Sequence, residues 1–170
     1  MTAARSPARR PAAGTTRPER QMTGKIVVGV DGSEGSRRAL AWAIRQAAAC
    51  EAAVQPVIVW QRSFDYGSSQ YWPADEKTAE AAHQRLQAAV TDIAGPRPAV
   101  PIDPAVLEGD PGQILCARSA GASLLVVGRK GHGSRLAGLA LGSVSAMCAR
   151  HSRCPVVIVP AGPAAEKEHR

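Results

Sequence analysis

The chain has 170 residues, 45% of them hydrophobic and 4% aromatic, with a formal net charge of +7. That length fits a single domain with a substantial core. The scarcity of aromatics argues against a base-stacking nucleic-acid surface, and no apolar run approaches the roughly 18 residues of a membrane-spanning helix.

Residues 1–23 hold Arg5, Arg9, Arg10, Arg17 and Arg20 against Glu19, a net of +4. Rich in Ala, Pro, Arg and Thr and without an apolar signal-peptide core, they are predicted to form a disordered basic tail. That tail is either a solvated extension or a contact for acidic partners. Residues 24–160 form the predicted domain, and 161–170 a second flexible tail of zero net charge. The domain is left with +3, a mild excess that disfavours nucleic acid as a partner.

Lys25 to Asp31 is a β-branched run and reads as the first strand. Gly32 turns, Ser33 caps, and the first helix runs to about Cys50 with Leu40, Ala43, Ile44 and Ala47 on one stripe. Val54 to Trp60 is the second strand. Gln61 to Ala74 reads as a long loop. A second helix spans Asp75 to about Ala94, with Ala81, Leu86, Ala89, Val90 and Ile93 inward. Val100 to Leu107 is the third strand; Pro101 and Pro104 remove ladder donors and place it at a sheet edge. Asp110 caps a third helix with Pro111 at its first position. Ser123 to Gly128 is the fourth strand, Ser143 to His151 the fourth helix, and Pro155 to Val159 the fifth strand. Strands alternating with helices predict an α/β fold: a single open five-stranded parallel sheet, Rossmann-like, with helices on both faces.

The four cysteines show neither C-x-x-C pairing nor zinc spacing. Cys50, Cys116 and Cys148 fall among helical alanines, as small buried thiols do, which predicts a reduced, cytoplasmic protein. His151 and Cys154 form at most half of a metal site, so no metal ligands are expected from protein side chains.

The most informative run is Gly128-Arg129-Lys130-Gly131-His132-Gly133, continuing to Gly142-Ser143-Val144-Ser145 at a helix start. A strand, a glycine-rich loop and a helix N-terminus together suit a phosphate, because glycines let backbone N–H groups approach an anion. Read alone, the run fits a ligand-free loop equally well. Ligands of open parallel sheets sit beyond the carboxyl ends of the strands, where strand order reverses. If the first and fourth strands are neighbours, Asp31 and the glycine loop line one crevice. Asp31 then accepts from a base or sugar; otherwise it is a turn-capping aspartate.

Lys25 to Ser33, Glu108-Gly109-Asp110-Pro111, Leu124 to Ser145 and Cys154 to Pro160 together resemble the universal stress protein family, over roughly residues 24–160. The ATP-binding branch of that family shows G-x-x-G, nine residues, then G-S or G-T. Gly128, Gly131 and Gly142-Ser143 match, with ten residues from His132 to Leu141 and a bulge expected near Ser134-Arg135. The resemblance implies that Asp31 lies beside adenine and ribose, with Gly29 and Val30 on the pocket floor. It puts the Val59 backbone at the adenine edge, Gly128 and Gly131 along ribose and phosphate, and Gly142 and Ser143 at the phosphates. Lys130, His132, Gly133 and Ser145 are further candidates for phosphate contacts.

The resemblance also implies ATP, with or without Mg2+, and a homodimer joined through Val156 to Val159. No dedicated catalytic constellation is legible, so the expectation is a nucleotide-sensing stress regulator rather than an enzyme, slow ATP hydrolysis aside. Two other classes stay open. An adenylate-transferring enzyme of this fold group uses a serine-glycine-glycine run, which Asp31-Gly32-Ser33-Glu34-Gly35-Ser36 lacks. A non-nucleotide protein-interaction stress module lacks the glycine motif, which is nearly complete here.

Overall fold

The computed structural model describes residues 24–61, 78–131 and 141–160. In chain order these form β1 (Gly24–Val30), α1 (Glu34–Cys50), β2 (Ala52–Trp60), α2 (Ala79–Ala94), β3 (Ala105–Glu108), α3 (Pro111–Arg118), β4 (Leu124–Gly128), α4 (Ser143–His151) and β5 (Val156–Val159). The strands make one parallel sheet in the order β3-β2-β1-β4-β5. The chain winds outward from β1 through β2 to β3, then returns to β4 on the other side of β1. Strand order therefore reverses between β1 and β4, which pair from Ile26 with Leu124 to Val28 with Val126.

Both faces of the sheet are covered, which is why the inner strands are almost uninterrupted in apolar residues. On one face Ile26, Val28, Val30, Val54, Ile58 and Val126 pack with Leu40 and Ala43 of α1 and Leu86 of α2. On the other, Val27, Val57, Leu125 and Val127 pack with Leu115 of α3 and Cys148 of α4. Fully burying one such leucine or valine stabilises the fold by about 1.5–3 kcal/mol.

Local signals set the helix starts. The Ser33 hydroxyl accepts from Ser36 N at 3.2 Å, the Thr78 hydroxyl from Ala81 N at 3.1 Å and the Asp110 carboxylate from Gln113 N at 2.8 Å. Each satisfies a donor that the first helical turn leaves open. Among the described helices, only α4 has an N-cap, Gly142, that offers no side chain for the purpose.

Three expectations need correction. The third strand is shorter than Val100–Leu107: it spans Ala105–Glu108, preceded by a lone bridge between Ile102 and Val54. Pro101 and Pro104 break the ladder, though β3 does lie at the sheet edge. In α2 the inward alanine is Ala82, not Ala81, whose N–H faces the Thr78 cap. Cys50 is exposed, because the last turn of α1 has left the core; Cys116 is half-buried and only Cys148 is fully enclosed. Burial pushes the Cys148 thiol up to about 12, helped by the neighbouring Cys116. The expected loop at 62–74, residues 75–77 of the expected second helix and both tails lie outside the described residues.

Candidate functional site

β1 ends at Val30, and the next residue is Asp31. Its carboxylate Oδ1 accepts from Ser33 N at 2.9 Å, so it does shape the turn into α1. The turn is fixed further by Asp31 N, which donates to Ser36 Oγ at 3.3 Å. Asp31 also faces the glycine loop: a Cβ built on Gly131 would fall on its Oδ2. Turn capping and a position in the crevice are therefore combined in one residue.

β4 ends at Gly128 against the start of α1. A Cβ on Gly128 would stand 2.8 Å from Gly35 C and 3.0 Å from Gly35 O. Gly35 mirrors this, since its own Cβ would meet the Lys130 carbonyl at 2.7 Å. This pair of glycines lets the α1 start and the loop base touch backbone to backbone. Gly35 was not singled out from the sequence; its place one turn after Asp31 was the available signal.

The loop base is clamped. Arg129 N donates to Val159 O at 2.8 Å, and Gly142 N donates back to Arg129 O at 2.9 Å. Ser145 Oγ lies 2.9 Å from Arg129 O and 3.0 Å from Gly142 O. Ser145 is buried, at 2% exposure, and its hydroxyl, turned to these carbonyls, ties the loop base to α4. The clamp brings Arg129, Lys130 and Gly131 against the uncapped start of α4, where Ser143 is exposed. The Arg129 Nε is buried without a hydrogen-bond partner.

The remaining candidates are placed as follows. Gly29 lies under Leu115, whose Cδ1 would be 2.8 Å from an added Cβ. Val30 is a core residue on the α1 face, so only its backbone belongs to the crevice. Ile58 pairs with Val30, which sets Val59 level with Asp31 across the sheet. His132, Gly133 and the expected bulge near Ser134-Arg135 lie outside the described residues. At the other end, Cys154 Sγ lies 3.4 Å from Pro155 O. Among the described residues no three His, Cys, Asp or Glu gather as a metal site would require.

An uncapped helix start, a buried unpartnered guanidinium nitrogen and a glycine backbone all favour an anion. The Asp31 carboxylate beside them disfavours one and favours hydroxyl or N–H donors. A ligand that fits both ends is amphoteric in this sense: a donor-bearing body with an anionic tail.

These features define a doubly wound α/β protein with a candidate crevice at its topological switch point. The chain belongs to the universal stress protein family, whose model matches residues 22–160. A universal stress protein of Mycobacterium tuberculosis strain H37Rv is 32% identical over 154 residues, covering 81% of this chain and 48% of its own length. The chain spans about half the length of the curated relatives it matches. Among solved structures, a universal stress protein in complex with cAMP is 34% identical with a TM-score of 0.59, covering 81% of this chain and 96% of its own. A universal stress protein family member from Burkholderia pseudomallei is 31% identical with a TM-score of 0.58, covering 83% and 98%. A third, from Arabidopsis thaliana with AMP bound, shares the fold at 19% identity and a TM-score of 0.55, covering 81% and 91%.

Proposed function

We propose that the crevice between β1 and β4 binds ATP and that the protein is a nucleotide-sensing regulator of the stress response rather than an enzyme. One observation carries the proposal: Asp31, Gly131 and the uncapped α4 start at Gly142-Ser143 converge on one crevice at the carboxyl ends of neighbouring strands. Charge sets the orientation. A phosphate chain is repelled by the Asp31 carboxylate and attracted to the α4 start, to Lys130 and to the unpartnered Arg129 Nε. The base and ribose, which carry N–H and O–H donors, take the Asp31 side, with Val59 level across the sheet. That solved relatives hold cAMP and AMP supports an adenine nucleotide.

Bound nucleotide, held at Gly131 and at the α4 start, alters the surface that partners meet. β5 is the sheet edge, with its backbone paired only to β4 among the described strands. Pairing of two β5 edges across a two-fold axis would close that edge and give the homodimer. The test is mass spectrometry of nucleotide released from natively purified protein, followed by calorimetry with ATP, AMP and cAMP. The expected result is ATP in the extract and tightest binding by ATP. An empty protein that binds none of the three overturns the proposal and favours the interaction module.

A further inference from the structure

The modest charge of the domain conceals a division. Residues 24–110 carry eleven acids and eight lysines or arginines, whereas residues 111–165 carry six lysines or arginines and no acid. The acid-free stretch builds α3, β4, α4 and β5, one side of the sheet and its β5 edge. Arg118, Arg150 and Arg153 therefore have no acid within their own stretch of chain. The ion pairs described, Arg37 with Asp92 and Arg38 with Glu34, both belong to the other part.

Three of these six, Arg118, Arg150 and Arg153, gather with His151 at the strand starts, the end opposite the nucleotide crevice. Arg118 lies in the last turn of α3, and Arg150 and His151 in the last turn of α4. Arg153 N donates to Ser119 Oγ at 2.8 Å, which joins the two helix ends. Ser123 N donates to Lys25 O at 2.8 Å, so Lys25 is at the same end. Residues 1–23, with five arginines and one glutamate, enter the fold there at Gly24. Among the described residues the sheet register brings two acids to this end: Glu51, which precedes Ala52, the partner of Gly24, and Asp103, which follows Ile102, the bridge partner of Val54, and accepts from Gln55 Nε2 at 2.9 Å. Arg150, His151 and Arg153 are exposed and Arg118 half-buried.

Cations in the last helical turns also offset the helix dipole. That accounts for Arg118 and Arg150 singly, not for Arg153, Lys25 or the absence of acids from residues 111–165. We propose that this end, centred on Arg118, Arg150, His151 and Arg153, binds the phosphate backbone of nucleic acid without sequence preference. Guanidinium suits phosphate by its two-pronged donor geometry. The large apolar residue exposed among those described is Leu141, at 40%. A protein interface would need an apolar centre, and a membrane surface an inserting side chain. Nucleic acid requires neither, because its affinity comes from charge and counterion release. The scarcity of aromatics, 4% of the chain, argues against base stacking, not against backbone contact.

The test is fluorescence anisotropy of the full chain with a labelled duplex of random sequence, from 50 to 200 mM salt. Four phosphates contacted, by Arg118, Arg150, Arg153 and Lys25, give a slope of log K against log salt of about −3.6. The triple variant Arg118→Gln, Arg150→Gln, Arg153→Gln should lose at least tenfold in affinity at 50 mM salt and flatten the slope by about 2.7. Its melting temperature and ATP affinity should match the parent, which separates this site from the nucleotide crevice. Three results would overturn the proposal: no binding of the parent at 50 mM salt, an unchanged slope in the triple variant, or tighter binding to polyglutamate or phosphatidylserine vesicles than to the duplex.

Discussion

Replacing Gly142 by glutamate tests the phosphate end of the crevice. Gly142 sits at φ −67° and ψ 162°, a conformation open to any residue. A Cβ there meets Arg129 O at 3.4 Å, Lys130 Cα at 3.5 Å and Ser145 Oγ at 3.6 Å, all ordinary contacts. The side chain is therefore admitted, and an acid at a helix start stabilises α4 by about 0.3–1 kcal/mol. The cost falls on the ligand. A carboxylate about 6 Å from a phosphate charge repels it by about 0.7 kcal/mol in bulk water and about 2.8 kcal/mol at an effective dielectric near 20. The carboxylate also occupies the α4 donors that the phosphate would use. ATP affinity should fall at least tenfold, or about 1.4 kcal/mol. Gly142→Gln, equal in size and neutral, should lose markedly less, isolating the charge. Calorimetry with ATP gives the affinities, and urea melts confirm the fold. An affinity within twofold of the parent in a stable Gly142→Glu protein would refute the phosphate assignment.

Gly128→Ala sets a Cβ against the Gly35 backbone, which cannot yield as a side chain would; it should cost about 1–3 kcal/mol in urea melts, and an unchanged midpoint would contradict the close approach. Deleting residues 1–23 should leave the melting temperature and ATP affinity nearly unchanged, and a large drop in either would show that the tail docks on the domain. Val157→Lys should convert a dimer to a monomer at micromolar concentration in sedimentation while ATP binding persists; a monomeric parent would defeat the β5 pairing. Cys148, with its thiol raised from 9.0 to about 12, favours its protonated form in the fold. Its share of stability is present below pH 9 and is lost as pH rises toward 12, because the unfolded chain ionises first. Urea melts across that window should fall less steeply for Cys148→Ala, and parallel curves would contradict the enclosure of this thiol.

Much of the fold was legible because its causes are local. β-branched runs gave β1, β2, β4 and β5 within two residues, and Ser33, Asp110 and Pro111 marked helix starts by chemistry that acts over three residues. The glycine motif follows β4 directly and was legible for the same reason. What sequence could not supply was position across the sheet. That β1 lies beside β4, so that Asp31 meets Gly131 across 100 positions of chain, depends on which packed arrangement buries both faces. Gly35 gained its meaning from Gly128, the Ser145 hydroxyl turned to the Arg129 and Gly142 carbonyls, and Ala82 displaced Ala81, each through a neighbour distant in sequence or a cap that set the helix phase. Charge followed the same rule: the sequence determined that residues 111–165 lack acids, while the tertiary structure decided that Arg118, Arg150 and Arg153 share one end, because packing of α3 against α4 brings their last turns together.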